Sequence, residues 1–444
     1  MPLPERLSAV WIRATRGVLW ATPGQLDAGL ASLATFVTGL YAVRNLDSAA
    51  LGAYSLLFSA FLVASQVPTE LIFAPSQVLA IDLKPGNRLG LIRHSLPRGG
   101  LVSLASAIVV PLGVLPVLDL VPAAELAPLL VSAALLTAIS PLQDHIRSTF
   151  HLSDSSWAAA ATSAAHLVGT LLSLLVLNRM PSAAPFGALV VGNVLSVSLA
   201  GLWIARRRPA AVPRPTIRQL RSLGGWLVAT GLARSLFGYA SRALLNAVVG
   251  ITALGQVEGA RIVAHPLNVL ASGLTAQVGP RAVEAASRHN MTMARLWRRR
   301  FGYLFSLVAL PYAVITAIPS PLNPMYALAP RAYEVSGLTA LMLIGVWINS
   351  LLRPMKSELL GARMQRSLAF VVLATGIAEV ATIFAGYRIG ALAAPAGLVI
   401  ASVLGWAVLR RLLGRFYRAE AQPTTGETAP PTTTARDLDP DDRG

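Results

Sequence analysis

Residues 224–283 read GGWLVATGLARSLFGYASRALLNAVVGITALGQVEGARIVAHPLNVLASGLTAQVGPRAV, and this stretch decides the fold. Two apolar segments, about 225–249 and 253–283, are each long enough to cross a ~30 Å hydrocarbon core. Both carry charge at depths where insertion scales charge roughly 2.5–3.5 kcal/mol per ionised group, so those groups face a bundle interior or a watery cavity. The first holds Arg234 and Arg242, and the second Glu258, Arg261 and His265. In the second, Glu258, Arg261, His265, Asn268, Ser272 and Thr275 follow at steps of three and four, which puts them on one helical face. In the first, Ser235, Tyr239, Arg242 and Asn246 do the same, with Arg234 beside that line. Two wet, mostly cationic stripes on adjacent helices suggest the lining of a path for something anionic. The plainer alternative is an internal Glu258–Arg261 pair at i, i+3 with the other arginines snorkelling to the interface; both readings stay open here.

The rest of the chain fits a polytopic membrane protein. Its 444 residues are 54% hydrophobic and 13% charged, against about 25% charged in soluble domains. The apolar residues fall in twelve blocks, near 24–44, 50–80, 99–119, 125–150, 156–178, 185–205, 224–250, 253–283, 301–320, 333–355, 367–388 and 391–413. Cysteine is absent, which excludes disulfides and Cys-ligated metals. The net charge of +17 does not imply nucleic acid, because the charges sit in the turns between spans.

Those turns set an orientation. Of the 37 Lys and Arg, 30 fall in the terminal segments and even-numbered turns, 4 in the odd-numbered turns, and 3 inside spans. The positive-inside rule then puts both termini in the cytoplasm. The expected organisation is a basic N-terminal segment at 1–23, a six-helix bundle at 24–205, a cytoplasmic linker at 206–223, a second six-helix bundle at 224–413 and a disordered polar tail at 414–444. The halves look related. Ala50-Leu51-Gly52 opens the long second span and Ala253-Leu254-Gly255 the long eighth, and both spans carry two prolines (Pro68 and Pro75; Pro266 and Pro280). This predicts a parallel repeat about an axis along the membrane normal.

The run from Gly24 to Leu79 carries a resemblance. Leu40-Tyr41-Ala42-Val43-Arg44-Asn45-Leu46-Asp47, followed by Leu51-Gly52-Ala53-Tyr54, resembles the first two spans of polysaccharide flippases of the multidrug/oligosaccharidyl-lipid/polysaccharide exporter superfamily. Val43 stands where Ala is common in those proteins, and Asp47 where Gly is common. The resemblance implies two six-helix bundles around a central cavity, and as substrate a sugar chain on a polyprenyl pyrophosphate moved from inner to outer leaflet.

A pyrophosphate is multiply anionic, and arginine's planar fork suits phosphate oxygens. Arg234, Arg242 and Arg261 are therefore the leading substrate residues, expected to line one cavity with Glu258, His265, Tyr239, Asn246 and Asn268. Arg44 would sit at the external mouth or anchor a helix end. Asp27, Glu70 and Glu379 are the intramembrane carboxylates that could couple transport to Na⁺ or H⁺. Asp144, Arg147 and His151 read as an interfacial salt bridge, and Ser163, His166, Thr170 and Ser173 as a polar stripe in the fifth span. No nucleophile–base arrangement, nucleotide loop or metal-ligand spacing supports an enzyme, a cofactor or a metal. Three functions are compatible to different degrees: a flippase for lipid-linked oligosaccharide in the inner membrane, with a peptidoglycan-precursor flippase as a close variant and polysaccharide-assembly proteins as partners; a cation-coupled multidrug exporter of the same superfamily, disfavoured by the cationic stripe; and an envelope polymerase or ligase, disfavoured by the short external turns.

Overall fold

A computed structural model describes residues 3–80, 83–111, 113, 123–207, 212 and 215–421. Among these, twelve long helical units follow one another: α1 (Leu3–Asn45), α2 (Ser48–Ala80), α3 (Gly90–Ala107), α4 (Ala123–Leu152), α5 (Ser156–Val176), α6 (Ala184–Arg207), α7 (Ile217–Val248), α8 (Ile251–Ser287), α9 (Met291–Ala317), α10 (Leu338–Gly361), α11 (Gln365–Ala385) and α12 (Ala393–Ala421). Nine are long and apolar enough to cross a membrane by composition alone. The units that fall short are α3, α7 and α8; the last two carry the intramembrane charges noted above.

Several boundaries differ from expectation. The basic segment 1–23 is not set apart: from Leu3 on, it is one helix with the first span. α3 starts at Gly90 rather than 99, which takes Arg93 and Arg98 into the helix; residues 112 and 114–122 lie outside the described residues. The linker is shorter than 206–223, because Thr216 caps α7 in a reciprocal capping box with Gln219, satisfying donors that a helix start leaves free. α12 runs on to Ala421, past the expected tail boundary at 414, and residues 422–444 lie outside the described residues. The basic turn from Arg353 to Arg366 is mostly helix, since α10 continues through Arg353–Gly361.

The helices form two lobes of six with matching internal packing. In the first lobe α5 packs on α6 and α1, and α4 on α6; in the second, α11 packs on α12 and α7, and α10 on α12. The long helices α2 and α8 join the lobes, with α2 against α7 and α1 against α8. They cross at the repeated Ala-Leu-Gly. A β-carbon on Gly52 would strike the carbonyl oxygen of Ile251, and one on Gly255 would strike that of Ser48. Each glycine thus meets the residue four positions before the other, the reciprocity expected of a two-fold related contact. Directly after Pro68, α2 loosens into a π-turn at Thr69–Phe73, whereas α8 stays helical through Pro266 and Pro280.

Candidate functional site

A polar cavity of about 600 Å³ lies within the second lobe, between α7, α8, α10, α11 and α12. Arg234 of α7 and Arg353 and Lys356 of α10 line it. Ser272 and Thr275 of α8, Asn349 of α10, Thr375 and Glu379 of α11 and Ser402 of α12 supply neutral donors and acceptors and one carboxylate. Arg353 Nη1 donates to the Ser272 hydroxyl at 2.6 Å and Nη2 to Asn268 Oδ1 at 3.4 Å. These neutral partners orient the guanidinium without cancelling its charge. Arg234 also sits within electrostatic reach of Glu70, at the π-turn of α2.

The three intramembrane arginines do not share this cavity, contrary to the sequence expectation. Arg234 lines it; Arg242 and Arg261 lie where the lobes meet. Arg242 Nη1 donates to the Gly238 carbonyl at 2.8 Å, which turns the side chain back along its own helix, and Nε to the Ser55 hydroxyl at 3.2 Å. Ser55 donates to Glu258 Oε2 at 2.8 Å. Arg261 grips Glu258 with both arms of its fork, Nε to Oε2 at 2.8 Å and Nη2 to Oε1. The relay Arg242–Ser55–Glu258–Arg261 stitches α7, α2 and α8 together around a carboxylate that is 1% exposed. The Glu258–Arg261 pair is therefore the internal i, i+3 pair of the plainer alternative. The continuous wet stripe on α8 divides: Glu258 and Arg261 serve the lobe junction, and His265 stacks on Phe36 of α1 at 6.0 Å. Asn268, Ser272 and Thr275 belong to the second-lobe cavity, Asn268 through its contact with Arg353. Tyr239 packs against the main apolar core, Asn246 lines neither this cavity nor those of the first lobe, and Arg44 is exposed at the end of α1.

In the first lobe the equivalent helices hold a different charge arrangement. Asp27 of α1, 2% exposed, takes Arg147 of α4 in a two-pronged pair (Nε to Oδ1 at 2.9 Å, Nη2 to Oδ2 at 2.8 Å). His151 Nε2 lies 2.8 Å from Oδ2, and the Ser163 hydroxyl of α5 donates to Oδ1 at 2.5 Å. Arg147 also holds Asp144 at 3.1 Å. Asp144, Arg147 and His151 are thus more than an interfacial bridge within α4, because Arg147 and His151 both reach Asp27, more than a hundred residues away in sequence. A cavity of about 590 Å³ opens beside this hub between α1, α4 and α8, and another of about 360 Å³ is lined by Ser32, Thr35, Gln143, His166, Asn193 and His265. Both ring nitrogens of His166 lack a protein partner. Of the three carboxylates considered for ion coupling, Asp27 is engaged by arginine; among the described residues Glu70 and Glu379 form no ion pair.

Arg353, Lys356 and Asn349 were missed in the sequence because they lie next to a basic turn, where the positive-inside rule accounts for them. Their spacing held a signal: Asn349, Arg353, Lys356 and Leu360 fall at steps of four, three and four, which is one face of a helix.

No protein-family model matches the sequence, and no curated protein matches it. Solved structures do. An inward-facing multidrug resistance MATE family transporter of the MOP superfamily superposes with a TM-score of 0.69 at 14% identity, covering 90% of this chain and 96% of that one. The fold is that of the MATE transporters. An outward-facing structure of such a transporter gives a TM-score of 0.59 at 13% identity over 90% and 95% of the two chains, and a Vibrio cholerae MATE transporter gives 0.60 at 17% over 91% and 100%. The MATE fold, twelve helices in two bundles, accounts for the matched packing of the lobes and for their reciprocal crossing at Gly52 and Gly255.

Proposed function

We propose that the chain translocates a polyprenyl-pyrophosphate-linked oligosaccharide from the inner to the outer leaflet of the bacterial cytoplasmic membrane, with both termini in the cytoplasm, for synthesis of an envelope or exported polysaccharide. One observation carries the reading: Arg234, Arg353 and Lys356 converge on one cavity against the single carboxylate Glu379. Three cations around a few hundred Å³ suit a diphosphate, which accepts charge-assisted hydrogen bonds from several directions. Ser272, Thr275, Asn349, Thr375 and Ser402 offer the weak donors and acceptors that sugar hydroxyls use. The reading is supported further by the contrast between lobes, since the matching helices of the first lobe pair Arg147 with Asp27, while among the described residues Arg234, Arg353 and Lys356 of the second form no ion pair.

One structural neighbour is a multidrug resistance transporter; export of a cationic drug by this chain would call for an excess of carboxylates in the cavity. Here the cavity's one carboxylate, Glu379, is outnumbered by Arg234, Arg353 and Lys356, and Asp27, Glu258 and Glu358 elsewhere are each paired with an arginine. A peptidoglycan-precursor flippase shares the diphosphate chemistry and differs in the sugars. Depletion in the native host is expected to build up a lipid-linked glycan in the inner leaflet. Wild-type protein should clear it and Arg353→Ala should not. The glycan that accumulates separates a polysaccharide repeat from a peptidoglycan precursor. Drug hypersensitivity with no accumulated lipid would overturn the proposal in favour of a multidrug exporter.

A further inference from the structure

A second basic feature lies away from the cavities of the two lobes. α9 and α12 both pack on α10 and leave a groove of about 520 Å³ between them. Its floor is apolar, made by Leu351 and Met355 of α10 and Leu413 and Tyr417 of α12. This is the opposite face of α10 from Asn349, Arg353 and Lys356, so the groove does not open into the second-lobe cavity. The rim is cationic: Arg295 and Arg299 from α9, and Arg410 from α12. Arg298 lies deeper, paired with the fully buried Glu358 at 3.0 Å. Arg410 stacks over Trp406 at 5.1 Å. Among the described residues, Arg295 and Arg299 have no carboxylate partner, and both are exposed.

The order of side chains along the two helices decides what fits. On α9 the exposed stripe runs Arg295, Arg299, Tyr303, Leu307, Leu310 and Val314; on α12 it runs Arg410, Trp406, Val403 and Ile400. Each passes from cation through aromatic to aliphatic at helical spacing. That is the polarity profile of a membrane interface read from headgroup to acyl chain. Basic pockets between membrane helices at the positively charged face recognise anionic lipid headgroups. A soluble anion would use the rim but leave the aliphatic stripes without a role.

We infer that this groove is a binding site for an anionic phospholipid of the leaflet at the arginine-rich end, its phosphate held by Arg295, Arg299 and Arg410 and its acyl chains lying along Tyr303, Leu307, Val403 and Ile400. The site is separate from the transport cavity, and the inference stands whether or not the transport proposal does.

The test uses the full chain in phosphatidylcholine vesicles carrying trace spin-labelled phosphatidylglycerol or spin-labelled phosphatidylcholine, with the motionally restricted lipid read by electron paramagnetic resonance. Phosphatidylglycerol should be enriched over phosphatidylcholine by about tenfold or more, since each basic residue near the surface adds to the attraction. The preference should fall with salt and resist millimolar inorganic phosphate. The triple variant Arg295→Gln, Arg299→Gln, Arg410→Gln should lose it. A triple Lys variant at the same positions should keep most of it, as should Arg206→Gln, Arg207→Gln, Arg218→Gln, which removes equal charge elsewhere. Equal restriction of the two lipids by the wild type would overturn the inference whatever the variants do. So would full displacement by inorganic phosphate, which marks a free-anion site, or an undiminished preference in a monodisperse Gln variant.

Discussion

At the scale of single residues, buried charges here divide into those already satisfied and those left available. Glu258 is satisfied three ways, by both arms of Arg261 and by the Ser55 hydroxyl. Removing one partner of a buried pair leaves the other uncompensated and costs about 3–5 kcal/mol. Glu258→Gln and Arg261→Gln should therefore both lower the thermal midpoint in detergent by a similar amount. A stable Arg261→Gln protein that has lost transport would instead make Arg261 a substrate residue. Arg353 has only neutral partners, so Arg353→Ala should fold normally. It should weaken binding of a diphosphate headgroup about tenfold to a hundredfold, the worth of one lost charge-assisted hydrogen bond. Arg234→Ala should behave in the same way. Sequence spacing alone brought Glu258 to Arg261, because i, i+3 neighbours meet on any helix. It could not bring Asp27 to Arg147 and Ser163, since nothing local encodes contacts more than a hundred residues apart. Nor could it separate Arg234 from Arg242, because that depends on Arg242 folding back onto the Gly238 carbonyl.

At the scale of elements, the two long helices and their crossing matter most. The Ala-Leu-Gly repeat and the prolines of α2 and α8 were visible in the sequence; that the two glycines touch each other's helix was not. Gly255→Val would drive a side chain into the Ser48 carbonyl, and overpacking of this kind costs about 1–3 kcal/mol or forces the helices apart. Cross-linking of Cys pairs placed across the crossing should drop sharply in that variant, while unchanged cross-linking would show that the helices pass each other with room to spare. A second contact closes the same end of the bundle. Glu334, in the turn before α10, accepts from Ser48 at 3.0 Å, Gln256 at 3.2 Å and Arg331 at 2.9 Å. Partial burial pushes the Glu334 carboxyl up, but the hydrogen bonds from Arg331, Gln256 and Ser48 outweigh it and hold it below the ordinary carboxylate range. A depressed value means the contact is at full strength above the usual carboxylate pKa of about 4.3 and is lost as pH falls through the lower folded value. Spin labels at the starts of α2 and α8 should therefore move apart on acidification below the ordinary carboxylate range, and should already be apart at neutral pH in Glu334→Gln. A pH-independent distance, or a variant identical to wild type, would contradict this.

At the scale of the whole molecule, the twelve helices and their division into six and six were legible from apolar block length and the placement of basic turns. The cavities were not. Among the described residues, polar cavities lie within the second lobe, between α1, α4 and α8, and in the first lobe, positions that depend on how six helices tilt together. The 30-to-4 distribution of basic residues predicts that Cys introduced at Ser222 resists impermeant thiol reagents in intact cells; efficient outside labelling would invert the orientation. The functional account rests on the lobes sharing one architecture with opposite electrostatics: the first lobe neutralises its arginine with Asp27, and the second gathers Arg234, Arg353 and Lys356 around open space. The most direct measurement is equilibrium binding of polyprenyl pyrophosphate, against polyprenol of the same chain length, to the purified protein. The account predicts that the pyrophosphate binds at least about a hundredfold more tightly, from two or more charge-assisted contacts, and that Arg353→Ala combined with Lys356→Ala erases the difference at unchanged thermal stability. Equal affinity for the two lipids, or a pyrophosphate preference untouched by the double variant, would contradict it.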